Sequence, residues 1–119
     1  MLSSAADLAV YNSWTPVPQG TQRKPLPRYE HASALMPLGG GTLFVVGGNY
    51  GGRYLSDVWK LDVRSMAWKL VPTRPFQPSE GGQEDAGAAV QQGLPAIAGH
   101  TITPWQDTLI ILGGHSKVK

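Results

Sequence analysis

The sequence predicts an all-β protein. Its 119 residues include 15 glycines and 10 prolines, and both residue types disfavour helix. The apolar residues fall in short runs separated by turn residues, with no 3.6-residue periodicity over a long stretch. Residues 42–48 (Thr-Leu-Phe-Val-Val-Gly-Gly) and 108–114 (Thr-Leu-Ile-Ile-Leu-Gly-Gly) are near copies. Such self-similarity indicates a repeat architecture, whose units bury their apolar faces against one another.

Four strands are predicted in the unit that contains the first copy. The apolar residues of 43–46 are continuous rather than alternating, which predicts a strand covered on both faces. Gly47 and Gly48 are expected to end this strand, because glycine tolerates positive φ, and residues 49–56 are expected to form a loop. The apolar residues of the third strand do not share one register, which indicates a bulge or an edge position. The predicted strands of this antiparallel sheet are residues 27–36, 43–46, 57–63 and 67–71.

The unit restarts after a spacer. Residues 98–103 and 109–112 are predicted to repeat the first two strands, joined by a turn at residues 104–107. Upstream, residues 13–17 echo the fourth strand, which predicts a residual strand of a preceding sheet. The predicted organisation is an N-terminal tail at 1–24, a complete unit at 25–72, a flexible loop at 73–94 and the first half of a second unit at 95–119.

Composition excludes several classes of function. Ten basic and eight acidic residues give a net charge of only +2, so nucleic-acid binding is not implied. The chain has no cysteine, which excludes thiol catalysis and favours a reducing compartment, so a cytoplasmic location is expected. The histidines lack the spacing of metal ligands and the glycine runs lack a P-loop lysine, so no metal or cofactor is expected. No apolar run is long enough to span a bilayer.

The landmarks of the first unit resemble a kelch repeat. In chain order they are Arg28, His31, Gly47, Gly48, residues 54–62 and Trp68. The resemblance implies a β-propeller, in which each repeat forms one four-stranded antiparallel blade. We therefore expect a kelch-type β-propeller fragment with one complete blade and partial flanking blades.

A narrower resemblance, over residues 14–117, is to the kelch region of plant-type acyl-CoA-binding proteins. The motifs that carry it are residues 27–31, 47–49, 52–57, 98–100 and 113–117. It implies a link to fatty-acyl-CoA binding or lipid metabolism. Two departures weaken the transfer: Ile97 stands where the first unit has Arg28, and no helical segment of the size of an acyl-CoA-binding domain is present. Acyl-CoA binding itself is therefore not carried over.

The propeller interpretation predicts a rim of loops that contacts another protein. In an antiparallel blade, the loops after the second and fourth strands lie at the same end, and residues 17–26 are expected to join them. Glu80, Glu84 and Asp85 would oppose the basic residues there. Tyrosine and arginine are enriched in binding hot spots. The predicted partner-binding residues are Asn49, Tyr50, Arg53, Tyr54, Arg28 and Arg74.

Other prominent residues are expected to be structural. His31 and His100 occupy the same place in both units, where they should pack and hydrogen-bond, while His115 is expected in a loop. Trp14, Trp59 and Trp68 are expected to pack between blades. The predicted structural landmarks are His31, Gly47, Gly48, Trp68, His100, Gly113 and Gly114.

The leading functional hypothesis is a non-catalytic kelch-repeat module that presents its loops to another protein. One alternative is a fragment of a propeller enzyme of the galactose oxidase-like central domain superfamily. Such a copper site needs a cysteine-linked tyrosine, and the chain has no cysteine. Another alternative is a truncated gene product without autonomous function. Open blade edges also predict self-association, because uncovered edges pair with other chains.

Overall fold

The computed structural model describes residues 12–76 and 93–116, which form six β-strands in two antiparallel sheets. The first sheet has the strand order β1-β2-β3-β4, and the second consists of β5 and β6. The strands are β1 (Ala32–Met36), β2 (Thr42–Tyr50), β3 (Arg53–Asp62), β4 (Ala67–Leu70), β5 (Ala98–Trp105) and β6 (Thr108–His115). Within the two described ranges, no helix is long and apolar enough to cross a membrane. The predicted all-β class and four-stranded blade are confirmed.

β2 continues beyond the glycine pair, where the sequence predicted that it would end. It reaches Tyr50 and turns at Gly51 and Gly52 directly into β3. The prediction of a loop at residues 49–56 is therefore wrong, because most of these residues are in strands. A two-residue hairpin needs only residues that tolerate positive φ, and the two glycines supply them.

A β-bulge at the start of β3 accommodates the glycine pair. Val46 pairs with Val58 and Gly48 with Leu55, so that one residue of β2 lies opposite two of β3. Gly47 and Gly48 adopt φ angles of 62° and 114°, which other residues rarely adopt. The third strand therefore contains the bulge that its irregular apolar register indicated.

The remaining strand ends also differ from the prediction. β1 begins only at Ala32, because Glu30 has a φ of 60° and takes the chain out of the extended conformation. Before this point, Tyr29 forms an isolated bridge with Asn49. β4 ends one residue early, at Leu70, whereas β5 and β6 are longer than predicted and leave a turn of only two residues.

Both faces of β2 are covered, as its continuous apolar run predicted. Val45 and Val46 belong to opposite faces, and both are buried. β5 packs against β1 and β2, and covers the face that contains Val46. The hydrophobic core consists of Ala32, Ala34, Met36, Val45, Val46, Leu55, Val58, Trp59, Leu61 and Ala98.

An extended segment, residues 19–28, lies along the other face of the first sheet, and we call it the strap. The Gln22 side chain bonds the outer edge of β4: Nε2 donates to Met66 O (3.0 Å), and Oε1 accepts from the Trp68 N–H (2.9 Å). One amide thereby satisfies two edge groups of a strand that has no further strand beside it in the described residues. Residues 17–26 were predicted to lie on the rim; instead the strap reaches the opposite end of the blade, beside the β3–β4 turn.

Two tryptophans pack under the strap, and a third does not pack at all. Trp59 and Trp68 meet edge to face with ring centres 6.4 Å apart. The Trp68 indole donates to Gln19 Oε1 (2.8 Å), and the Arg23 guanidinium lies 5.7 Å from the Trp59 ring centre. Trp14 is fully exposed, and residues 13–17 form no strand. Pro16 and Pro18, which follow Trp14 closely, lack the N–H groups that a strand needs.

β5 and β6 repeat the backbone geometry of β1 and β2. A Cβ atom at Gly48 would lie 2.9 Å from His31 Cβ, and one at Gly114 would lie 2.8 Å from His100 Cβ. The residue before each histidine has a positive φ, 60° in the first unit and 74° in the second. The two units are therefore equivalent in conformation as well as in sequence.

Candidate functional site

The candidate site is the end of the first blade that carries the β2–β3 turn. Because adjacent strands are antiparallel, the segment before β1 and the segment after β4 lie at this same end. We call this end the rim; it comprises residues 28–31, 49–54 and 71–76. Three predicted partner-binding side chains are exposed there: Tyr50, Arg53 and Arg74.

The side chain of Arg28, also predicted to bind a partner, is buried within the blade. Its guanidinium forms a two-pronged ion pair with Asp57, with distances of 2.7 Å and 3.1 Å. The same group donates to Gly47 O (2.9 Å) and Leu26 O (3.1 Å). Its side chain is only 4% exposed. Arg28 therefore joins the strap to the bulge and leaves little surface for a partner.

Two neighbours keep Asp57 ionised. Burial raises the pKa of this carboxyl group, but hydrogen bonds from Arg28 and from the Trp59 indole (2.8 Å) outweigh that effect and lower the pKa below its ordinary value. Asp57 is thus the permanent counter-ion of Arg28 at neutral pH. Asp57 thereby supports the bulge next to the rim.

Asn49, a further predicted partner-binding residue, closes the β2–β3 turn. It is buried, and its Oδ1 accepts a hydrogen bond of 2.9 Å from the Gly52 N–H. Its backbone exchanges two hydrogen bonds with Tyr29, of 3.0 Å and 2.7 Å. These bonds fix the hairpin tip that carries Tyr50 and Arg53. They also place the exposed ring of Tyr29 on the rim.

Tyr29 was absent from the sequence prediction. The signal for it was present, because it lies inside the motif at residues 27–31 that carries the family resemblance. What the sequence could not reveal is that Glu30 turns the chain, so that Tyr29 faces solvent beside the hairpin tip. The rim therefore presents two tyrosines and two arginines.

Tyr54 joins the rim to the second sheet. Its hydroxyl lies 2.7 Å from His115 Nδ1, and the two rings meet edge to face with centres 5.4 Å apart. Sequence reasoning assigned His115 to a loop, but it is the last residue of β6. The alignment of the repeats contains the signal, because His115 follows its glycine pair as Asn49 follows Gly48.

The repeat histidines lie in different environments. His100 is buried at the contact between the sheets, where its Nε2 lies 2.8 Å from Val46 O, and its Nδ1 has no partner in the described residues. His31 is exposed. Partial desolvation, followed by electrostatic interactions with Arg28 and then with His100, lowers the pKa of His31. Of the two, His100 makes the contact that was expected of both.

The exposed side chains of the rim are mainly aromatic and cationic. Among residues 12–76 and 93–116, no three histidine, aspartate or glutamate side chains converge as a metal site. Glu80, Glu84 and Asp85, which were expected to oppose the basic residues, lie outside the described residues. The rim offers aromatic and cationic side chains on a turn that buried polar bonds hold in place.

Comparison with known families matches residues 28–75 to the Kelch motif. This range extends from the buried Arg28 through all four strands of the first sheet to the rim segment after β4. The match confirms the resemblance that the order of landmarks predicted.

Curated relatives match most of the chain. It is 34% identical to acyl-CoA-binding domain-containing protein 5 of Arabidopsis thaliana over 98% of this chain and 16% of that protein. It is 36% identical to acyl-CoA-binding domain-containing protein 4 of Arabidopsis thaliana, over 92% of this chain and 15% of that protein. Identity to human multiple epidermal growth factor-like domains protein 8 is 34%, over 77% of this chain and 3% of that protein. The chain thus spans less than a fifth of the length of each. No solved structure matches it.

Proposed function

Since residues 28–75 form a kelch repeat, we propose that the chain is a non-catalytic protein-interaction module whose partner binds at the rim. The observation that carries this proposal is the hairpin tip, where Tyr50 and Arg53 are exposed while Asn49 beneath them is buried and bonded. A side chain on a fixed turn loses little conformational entropy on binding. Exposed tyrosine and arginine on such a support are the residues that most often dominate protein interfaces.

The charge of the rim favours a partner segment that contains carboxylates. Arg53 and Arg74 are exposed cations, and arginine binds carboxylates through two parallel hydrogen bonds. Tyr29 and Tyr50 add apolar area with a polar end, which suits a contact that is partly wet. An acidic peptide segment with one or two apolar side chains therefore fits this surface best.

Affinity capture with matched variants tests the proposal. We expect a specific partner recovered by the wild-type chain to be lost, by about tenfold or more in affinity, with Tyr50→Ala combined with Arg53→Ala, because each removes a hot-spot side chain. The control is Leu38→Ala, which alters an exposed residue in the β1–β2 turn at the opposite end of the blade. Equal loss with both variants, or undiminished capture by the rim variant, would contradict binding at the rim.

The link to acyl-CoA is proposed as indirect. The plant relatives are named for acyl-CoA binding, but the chain spans only 15–16% of them. We expect titration calorimetry with a long-chain acyl-CoA to give no saturable heat with this chain, whereas its protein partner would belong to fatty-acyl metabolism. Saturable acyl-CoA binding would instead make the chain a direct lipid-binding unit.

Catalysis is the outcome that would overturn the proposal most completely. Copper-dependent oxidation of galactose by the purified chain would assign it to the propeller oxidases instead.

A cytoplasmic location remains our expectation, based on the absence of cysteine. Microscopy of the tagged chain checks it.

A further inference from the structure

One face of the second sheet is uncovered by the described residues. The pairing of β5 with β6 places Thr101, Thr103, Trp105, Ile110 and Leu112 on this face, and we call it the open face. Its three large apolar side chains are exposed, with Leu112 at 70%. Contiguous exposed apolar side chains of this kind mark an interaction surface.

The equivalent face of the first unit shows what fits such a surface. Val46 holds the position of Leu112, yet it is 0% exposed, because the second unit packs on it. Ile97 O accepts a hydrogen bond of 2.8 Å from the Gly48 N–H, and Ile97 N–H donates to Leu55 O (3.1 Å). The fitting partner is thus the segment at the start of a unit, which includes Ile97 and, three residues later, the repeat histidine.

The glycine pairs indicate that the open face can accept the same segment. A Cβ atom at Gly47 would lie 2.6 Å from Ile97 O and 3.0 Å from His100 Cε1, so only glycine leaves room for the docked unit. At Gly113, the equivalent position, a Cβ atom would meet nothing within 4 Å. The second unit fills the space beside Gly47. The equivalent space beside Gly113 is not filled by any of the described residues.

The chain carries another copy of the docking segment. Residues 28–31 are the equivalents of residues 97–100, and they lead into β1 as the second segment leads into β5. The strap covers the outer part of this side of the blade but leaves His31 and Ser33 exposed and Leu35 60% exposed. We call His31, Ser33 and Leu35 the leading edge.

We propose that the open face of one chain binds the leading edge of a second copy. In this contact His31 of the second copy takes the place that His100 occupies against Val46 O, and approaches the Leu112 carbonyl. Leu35 covers part of the apolar open face. The two surfaces differ, so the contact is heterologous and can extend from copy to copy. The exposed rim residues Tyr50, Arg53 and Arg74 lie outside this contact, whereas Tyr29 and His31 belong to both the rim and the docking segment.

Sedimentation velocity on the full chain tests this pairing with two complementary variants. Leu112→Glu places a charge on the open face, and Leu35→Glu places one on the leading edge. We expect the wild type to form species larger than a dimer as concentration rises, and each variant alone to stay monomeric. An equimolar mixture of the two variants should form a complex of twice the monomer mass, because one intact open face then meets one intact leading edge.

Folding controls keep the result decisive. Both substituted leucines are exposed, so far-ultraviolet circular dichroism and thermal unfolding of the variants should match the wild type. If either variant is unfolded, Thr103→Arg replaces the open-face variant and Ser33→Arg the leading-edge variant, since both positions are exposed. Leu38→Glu, at an exposed residue outside both surfaces, should leave association intact. A wild type that is monomeric at all concentrations, or a mixture that stays monomeric, would overturn the proposal.

Discussion

β2 and β6 carry nearly the same sequence, yet they lie in different surroundings. Val46 of β2 is 0% exposed, whereas Leu112, at the same place in β6, is 70% exposed. β2 has a strand on each side and β5 against one face, while β6 pairs only with β5 in the described residues. The continuous apolar run is therefore typical of a strand that is buried on both faces, and burial of one of these faces requires a neighbouring unit.

The comparison also explains the double glycine. In the first unit, Gly47 lies at the bulge where Ile97 and His100 of the next unit dock. In the second unit, Gly113 also has a positive φ, but it has no docked neighbour among the described residues. The glycine pair is thus a docking feature of the repeat rather than the end of a strand.

The largest effect is expected where the two units differ most, at Arg28 and its equivalent Ile97. Arg28→Met leaves the Asp57 carboxylate partly buried without its counter-ion, and we expect a loss of about 3 kcal/mol in the free energy of unfolding. Chemical denaturation measures it. Ile97→Val, the matched change in the second unit, should cost only about 1 kcal/mol.

A double variant sharpens this prediction. Adding Asp57→Asn to Arg28→Met removes the uncompensated charge, while the new amide still accepts a hydrogen bond from Trp59. The double variant should therefore regain part of the lost stability. If it is less stable than Arg28→Met alone, the ion pair is not the reason for the loss.

The next effect compares the glycines directly. Gly47→Ala and Gly113→Ala both place alanine at positive φ, which costs about 1–2 kcal/mol in each case. Only Gly47→Ala also drives a Cβ atom against the Ile97 carbonyl. We expect Gly47→Ala to lower the free energy of unfolding by about 2 kcal/mol more than Gly113→Ala does. Equal losses would mean that the second unit does not dock at Gly47.

A smaller effect is expected from the strap. Gln22→Ala removes the two hydrogen bonds that cap the edge of β4, and should cost about 1 kcal/mol in the free energy of unfolding. Lys24→Ala, on an exposed residue of the same segment, is the control and should cost almost nothing. The same melting curve for both variants would show that the edge of β4 needs no cap.

The smallest effect is a dependence of stability on pH. The pKa of His31 is lowered in the folded chain, so below its ordinary value of 6.5 the unfolded chain binds more protons. The contribution of His31 to the free energy of unfolding should therefore be constant above pH 6.5 and fall as pH drops below it. The lowered pKa of Asp57 adds a further fall below its ordinary value of 3.8. His31→Gln should remove the first step only, as measured by denaturation at a series of pH values.

The sequence predicted the strand order of the first blade because local patterns specify it. The apolar run of β2, the short turns and the repeated glycines are each visible within a few residues. The partners of Arg28 and Gln22 were not predictable in this way, since Asp57 lies 29 residues from Arg28 and Met66 lies 44 residues from Gln22. Their side chains join elements that only the folded topology brings together.

The residues of the candidate site also differ in how far local sequence could predict them. Tyr50 and Arg53 are exposed at the two strand ends that flank the β2–β3 turn, although the loop from which they were predicted is absent. Asn49 and Arg28 have the same polar character in sequence, but the fold uses their hydrogen-bonding capacity internally. A polar residue beside a glycine pair can either bind a partner or form hydrogen bonds within the fold, and its burial decides which role it has.

The central claim is that β2 and β6, which are similar in sequence, differ in exposure because a neighbouring unit covers only β2. Hydrogen–deuterium exchange tests this claim most directly. At a concentration low enough to keep the chain monomeric, the amides of residues 43–48 should exchange at least about tenfold more slowly than those of residues 109–114. Similar protection of the two segments would contradict the account, because it would mean that β6 is already covered as β2 is.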